Sequence, residues 1–342
     1  FQTYYCLFSL LTWHPIVLYL LIREPGHISK EIRFGYIVNQ IGLMVNEWIF
    51  CVLIRVYPLM PYPALHCGGF LCGIGIPHWI LLTILAFGVI LPNPPFEYLL
   101  LVMHQKLVLN TASTVRVSKR SQNVMITALL LLLLVNIAGF GIFGIQTAKA
   151  DGILNRPELV WLTSKGGEVF IFGDVGEPGN FAYECYILGA VLVIVFPVVV
   201  FLSIHAVYIM MLMKKNVTDN TMQSQLRLIK VLLLQLGSVF QFYIIPLGIM
   251  ITTIMFGTLA MPDWVLGSGR PLYTMIFILN PMPQSLIFIL RNPTYRRIIW
   301  DKVRSVFYSI FPCAIQTVPT LHLPNAFSHL PSSSMTRPSA VS

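Results

Sequence analysis

Ala128-Leu129-Leu130-Leu131-Leu132-Leu133-Leu134-Val135 carries six leucines in succession and no polar side chain. Such a run has no polar face to turn toward water, and it suits a helix whose sides meet lipid. The apolar stretch around it runs from about 124 to 147, long enough to cross some 30 Å of hydrocarbon. Six further runs lie at roughly 3–22, 34–57, 69–92, 185–212, 229–257 and 271–290. Of the 342 residues, 56% are hydrophobic and only 10% charged, with mean hydropathy +0.76. A soluble domain carries about 25% charged residues, so this chain cannot coat a water-facing surface. A disordered protein, a secreted disulfide scaffold and an ordinary cytosolic enzyme are excluded. The fold class is all-α: a bundle of seven transmembrane helices. No repeat of 20–50 residues signals a solenoid. The first run lacks a basic n-region and a small-residue cleavage site, so it reads as a span and not a leader. The chain opens at Phe1, almost inside that run, and a preceding segment is expected to be missing.

Placement of charge orients the bundle. Arg23, Lys30 and Arg33 share one side with Lys106, Arg116, Lys119 and Arg120. Lys214, Lys215, Arg227 and Lys230 join them, as do Arg291, Arg296, Arg297, Lys302, Arg304 and Arg337. These are 17 of the 22 basic residues, and the alternate segments hold only Arg55, Lys149, Arg156, Lys165 and Arg270. The positive-inside rule places the richer side and the C-terminus in the cytoplasm and the N-terminus outside. The same rule accounts for the net charge of +9 without a nucleic-acid partner.

Three segments need their own reading. After Leu91 comes Pro92-Asn93-Pro94-Pro95, then an apolar stretch to Met103 and His104-Gln105-Lys106. Either the third helix exits near Pro92 and 96–103 lies along the interface, or a kinked helix continues to His104. Segment 148–184 is the longest outer loop, with six acids and six glycines. It reads as a lid over an outer cavity or as a solvated connector. Residues 294–311 read as an amphipathic helix lying on the membrane, because Ile299, Val303, Val306, Phe307 and Ile310 recur on one face. Cys313 behind it is a palmitoylation position or a free thiol. The membrane domain thus covers 1–312, and the Pro/Ser/Thr-rich tail 313–342 reads as disordered.

Seven spans, an outer N-terminus, a basic inner face and a short amphipathic helix resemble the serpentine, GPCR-like receptor plan. Glu24-Pro25-Gly26-His27-Ile28, Tyr57-Pro58-Leu59-Met60-Pro61 and His66-Cys67-Gly68-Gly69-Phe70-Leu71 look like nematode serpentine receptor class I, a chemoreceptor family. Met103-His104-Gln105 resembles its Lys-His-Gln ending of the third span. Asn292-Pro293-Thr294-Tyr295-Arg296-Arg297 resembles the Pro-x-Tyr-Arg ending common to several nematode receptor classes. The sequence departs from that pattern at Glu47, where the family commonly has Asp, and at Met60, where it has an aromatic. The Asp-Arg-Tyr of rhodopsin-like receptors is absent, and Asn280-Pro281 is not followed by their tyrosine.

The resemblance implies a chemosensory receptor that binds a small-molecule cue and activates a heterotrimeric G-protein, at the plasma membrane or the ciliary membrane of a sensory neuron. No cofactor is implied. A transporter or ligand-gated channel is the competing class, favoured only by the broken third span. Isolated Glu47 and His205 make no catalytic cluster, and no metal-ligand spacing or nucleotide fingerprint occurs.

Candidate residues follow from depth and type. Glu47, within the second span, is either a polar relay or ion site, or a carboxyl bonded to a neighbouring helix. Asn280 and Pro281 mark the seventh span. Pro197, Pro246 and Pro281 each remove an intrahelical bond; Phe242, Tyr243 and Pro246 form the candidate pivot. His78, Trp79, Gln241, Tyr243 and Tyr273 supply polar and aromatic groups for an outer ligand cavity, or are ordinary contacts and interfacial anchors. His104, Lys106, Lys119, Arg120, Lys214, Lys215, Arg227, Lys230, Tyr295 and Arg296 form the surface for a G-protein or anionic lipid. A Cys67–Cys185 bridge would resemble the outer-loop disulfide of many serpentine receptors, with Cys72 as a competing partner. Asn216-Val217-Thr218 is a sequon on the cytoplasmic side and stays unmodified in this orientation.

Overall fold

Among the described residues, seven helices are long and apolar enough to cross a membrane: Gln2–Arg23, Lys30–Leu53, His78–Leu109, Lys119–Phe143, Phe181–Leu212, Leu226–Ile249 and Thr274–Arg291. They are spans 1 to 7 below. The computed structural model describes residues 2–23, 29–59, 62, 64–109, 117–143, 160, 162, 164–172, 179–213, 220–256, 274–276 and 278–310. Two compact units divide the chain, Phe1–Arg296 and Arg297–Ser342. The first holds the bundle. In the second, the helix that spans Pro293–Ile310 carries an Arg297–Asp301 pair one turn apart at 3.9 Å.

Span 3 is where sequence left two readings, and it continues through the prolines. One helix covers His78–Ile90 and the next Asn93–Leu109, with a two-residue turn between. Pro94 and Pro95 fall in the first turn of the second helix, where backbone N–H groups have no intrahelical partner anyway. Pro92 is costlier, because it cannot donate to the carbonyl of Gly88 four residues back. That carbonyl is answered from span 2, where the Asn46 side-chain amide donates to it at 2.6 Å. The small residue Gly42 lets the backbone of Leu91 and Pro92 approach span 2; a Cβ there would stand 3.4 Å from the Pro92 Cα.

Two further spans depart from regular α geometry. Span 6 holds a π-turn at Phe240–Ile244, closed by Ile245 N–H donating to the Phe240 carbonyl, immediately before Pro246. Span 2 ends in another at Ile49–Leu53, closed by Ile54 N–H on the Ile49 carbonyl at 2.9 Å. In span 7, Pro281 lies inside Thr274–Arg291, as expected. It starts the segment Pro281–Arg291 at the position where its missing N–H costs least.

Beyond span 2 the chain turns at Arg55, whose φ of 47° is left-handed, into a three-stranded antiparallel sheet. Its strands are β1 (Val56–Pro58), β2 (Ala64–Cys67) and β3 (Glu168–Ile171). Val56 pairs with Cys67, and Cys67 with Glu168 on the other side, so β3 of the long outer loop is the third strand. Gly69 presses on the backbone of Leu53 and Ile54, leaving no room for a Cβ, and its N–H donates to the Ile54 carbonyl at 2.8 Å. Below the sheet, Val56, Leu65, Phe170 and Phe172 join Leu81, Leu82 and Leu85 of span 3 in one buried cluster. Of the 148–184 loop, only 160, 162, 164–172 and 179–184 are among the described residues.

The cysteines pair differently from the expectation. Cys67 is bridged to Cys72, with Cα atoms 6.0 Å apart, and Cys185 is a buried free thiol. The 3₁₀ turn Leu71–Gly73 brings Cys72 back beside the end of β2, which makes the local partner the nearer one.

Two outcomes test this account. Asn46→Leu leaves the Gly88 carbonyl unanswered in a dry site and lowers stability by about 1–3 kcal/mol, read as a lower unfolding midpoint in detergent. Non-reducing mass spectrometry finds Cys67 and Cys72 in one bridged peptide and alkylates Cys185 as a thiol only after unfolding.

Candidate functional site

The outer half of the bundle encloses a cavity of about 110 Å³ beneath the sheet. Spans 2 to 7 all reach it: Phe50, Leu85, Phe140, Phe181, Leu247 and Thr274 each come from a different span. Val56, Pro58 and Leu65 of β1 and β2 roof it. Its wall is hydrocarbon and aromatic. Phe181 stacks on Phe172 at 4.5 Å and meets Phe140 edge-on at 5.6 Å, so the aromatic side is rigid.

Two polar residues in that wall stand out. Asn136 of span 4 donates its amide to Glu184 Oε1 of span 5 at 2.8 Å, and both residues are buried. Glu184 Oε2 is sealed from solvent and has no hydrogen-bond partner among the described residues. It lies against Gly139, where any Cβ would collide with it. The absence of a side chain at 139 is what lets the carboxyl sit between the helices. A carboxyl in an apolar pocket with one oxygen unanswered can meet a donor group on an occupant.

The ligand residues expected from sequence sit elsewhere. His78 stands at the entrance of span 3, paired with Glu168 of β3 at 3.1 Å and edge-on to Phe170. Trp79 is 59% exposed and faces outward from the bundle. Gln241 is exposed too, on the flank of span 6. The Tyr243 side chain and all of Tyr273 lie outside the described residues. None of the three described candidates lines the cavity, because residues at a span's mouth or lipid flank cannot reach its interior. Asn136 and Glu184 were the missed residues. Asn136 interrupts the leucine run of span 4, and Glu184 was counted with the loop although the helix begins at Phe181.

A second polar group links spans 1, 2 and 7. Glu47 Oε2 lies 2.7 Å from His14 Nε2, and both side chains are fully buried. Gln40 Nε2 approaches His14 Nδ1 at 2.6 Å and donates to Ser285 Oγ at 3.3 Å. Of the two readings of Glu47, this is the interhelical bond, although Oε1 keeps no partner among the described residues. His14, which sequence did not single out, is signalled only by being a histidine at mid-span. Asn280 accepts from Gln284 at 3.3 Å, and the Gln284 carbonyl accepts from Gln235 of span 6 at 2.9 Å. Between Asn39, Asn93, Asn280 and Gln284 is a gap of about 10 Å³, room for one water.

At the cytoplasmic end, two expected surface residues are internal. His104 is buried, with Nε2 2.7 Å from His205 Nδ1 of span 5, and Gln105 braces its other nitrogen at 3.2 Å. Tyr295 is buried against Phe288, which in turn meets Tyr36 at 4.9 Å. Both hold helices together and present nothing to a partner. Lys106 reaches Glu31 at 3.2 Å and the Ser29 hydroxyl, clamping span 3 to span 2. Lys119, Arg120, Arg227, Lys230 and Arg296 are exposed. Lys214, Lys215 and Cys313 lie outside the described residues. Among the described residues no three metal-ligating groups converge.

Seven spans, an outer cavity roofed by a hairpin and buried polar links across the inner bundle define a seven-helix receptor fold. Among solved structures the chain is similar to the crystal structure of squid rhodopsin, with TM-score 0.51 and 14% identity over 90% of this chain and 87% of that one. No curated protein matches. Residues 4–305 match the model of the serpentine type 7TM GPCR chemoreceptor Srh, and the chain belongs to that family. The resemblance to class I therefore stands as a likeness to a related family, and the class matched is Srh. The protein is an integral, multi-pass membrane protein of the nematode-type chemoreceptors.

The His14–Glu47 bond carries a prediction. His14→Leu strands a buried carboxyl and costs about 3–5 kcal/mol, whereas His14→Leu with Glu47→Leu recovers most of it. Unfolding midpoints of the two variants in detergent decide it; equal losses in both would contradict the pairing.

Proposed function

We propose that this protein is a chemosensory receptor that binds a small, largely apolar molecule in the outer cavity and activates a heterotrimeric G-protein. The observation that carries the reading is that one cavity touches six spans. An occupant in contact with all of them binds one helix arrangement better than another, and so shifts the population between them. Span 6 is suited to transmit that shift. Leu247 and Ile251 meet the cavity on the outer side of the π-turn at Phe240–Ile244 and of Pro246, while Gln235 holds the inner side to span 7. A π-turn followed by proline has fewer regular backbone bonds to break when the two halves swing.

The exposed bases Lys119, Arg120, Arg227 and Lys230 give the G-protein or anionic lipid its surface. The membrane is the plasma membrane, and by the earlier resemblance the ciliary membrane of a sensory neuron. The rival channel reading loses its main support, since the break in span 3 is satisfied inside the protein by Asn46.

Expression with a promiscuous G-protein, read by calcium against a small-molecule panel, yields at least one agonist. Its potency falls about tenfold or more in Gly139→Val, which displaces Glu184, at unchanged surface expression. A ligand-evoked current that persists without any G-protein would replace this reading by a channel.

A further inference from the structure

Spans 3, 4 and 5 enclose a second crevice, of about 240 Å³, that shares no lining residue with the outer cavity. Leu100, Leu101, Leu129, Leu132, Val195 and Leu202 make its floor and walls, and among the described residues Glu97 and Tyr98 are its only polar ones. Met125, Ile194 and Val198 on its rim are 40%, 55% and 40% exposed. In a membrane-spanning bundle those faces meet lipid, so the crevice opens to the bilayer.

Depth is fixed by Lys106, whose pairing with Glu31 and Ser29 marks the polar boundary. Glu97 lies nine residues above it on the same helix, about 13 Å at the α-helical rise. Half of a hydrocarbon core is about 15 Å, so Glu97 sits near the mid-plane. A carboxyl at that depth is costly unless a partner answers it. The two other acids deep in the spans each have one partner in the protein, Glu47 in His14 and Glu184 in Asn136. Among the described residues Glu97 has no hydrogen bond or ion pair, and no base lines its crevice.

We propose that this crevice is a binding site, filled from within the bilayer, for a lipophilic amine whose ammonium pairs with Glu97. Its hydrocarbon body replaces lipid along Leu100, Leu129 and Val195. A neutral amine entering beside a neutral carboxyl forms the pair by moving one proton between them, so no net charge is brought through hydrocarbon. Headgroup amines of the surrounding lipids are excluded by the same depth of about 13 Å. The occupant spans helices 3 and 5 above the His104–His205 contact that joins their inner ends.

The test uses the full chain in lipid nanodiscs and dicyclohexylcarbodiimide, a lipid-soluble reagent for carboxyl groups. The Glu97 carboxyl adds across the carbodiimide and rearranges to an N-acylurea, with no leaving group, so the peptide gains the whole reagent mass. Labelling is expected at Glu97 and not at the enclosed Glu47 or Glu184. Dodecylamine in the bilayer suppresses it about tenfold, while dodecanol at the same mole fraction does not. Absent labelling at Glu97 shows that the crevice is closed to lipid, and equal suppression by dodecanol shows a groove that reads only hydrocarbon. Either result overturns the proposal. In parallel, dodecylamine raises the unfolding midpoint of the native chain and not of Glu97→Gln. A rise retained in that variant overturns it too.

Discussion

Within hydrocarbon no water can answer a backbone carbonyl, so every break in a helix must be repaired by the protein itself. The bond from Asn46 to the Gly88 carbonyl is that repair, and much else follows from it. It allows span 3 to turn at Pro92 and still continue as a membrane helix. The continuation carries Phe96, Leu99 and Met103 into the bundle and His104 into reach of span 5. Without it, the turn at Pro92 would leave a carbonyl unanswered in the dry bundle, and the placement of the segment after the prolines would be weakened.

The architecture was largely legible in the chain, because lipid solvation demands long apolar runs and the basic loops mark one side. Boundaries of spans 1, 4 and 5 were read within a few residues. Span 3 could not be settled, since its repair comes from an asparagine on another helix, and no local pattern in 92–103 contains that information. Span 2 also begins before the apolar run, because Lys30 and Glu31 are at the interface and form part of the helix.

The candidate site was less legible, for a related reason. Polar and aromatic residues near a span's mouth look alike in sequence whether they face a cavity, lipid or the neighbouring strand. His78 turned out to hold β3 and Trp79 to face outward, while the cavity's carboxyl came from Glu184, hidden in an acidic loop. His104 and Tyr295 were misread the opposite way. Their polarity suggested a surface, but each side chain is enclosed by partners that sequence separation conceals: His205 lies 101 residues from His104. Glu47 was recognisable by its depth alone; its histidine was not.

The small ring closed by Cys67 and Cys72 has a consequence for the roof of the cavity. That bridge fastens only the 3₁₀ turn ahead of span 3 to the end of β2 and does not reach the long loop. β3 is attached through the ladder from Ala64 to Cys67, the His78–Glu168 contact and the bond between His66 and the Gly166 carbonyl. Every one of these is non-covalent and reversible at thermal energies. Reduction of the bridge therefore breaks no covalent tie of β3 among the described residues and reaches that strand only through Cys67, the ladder partner of Glu168. Opening that edge of the sheet exchanges these hydrogen bonds for bonds to water and lifts Phe170 out of the buried cluster beneath it.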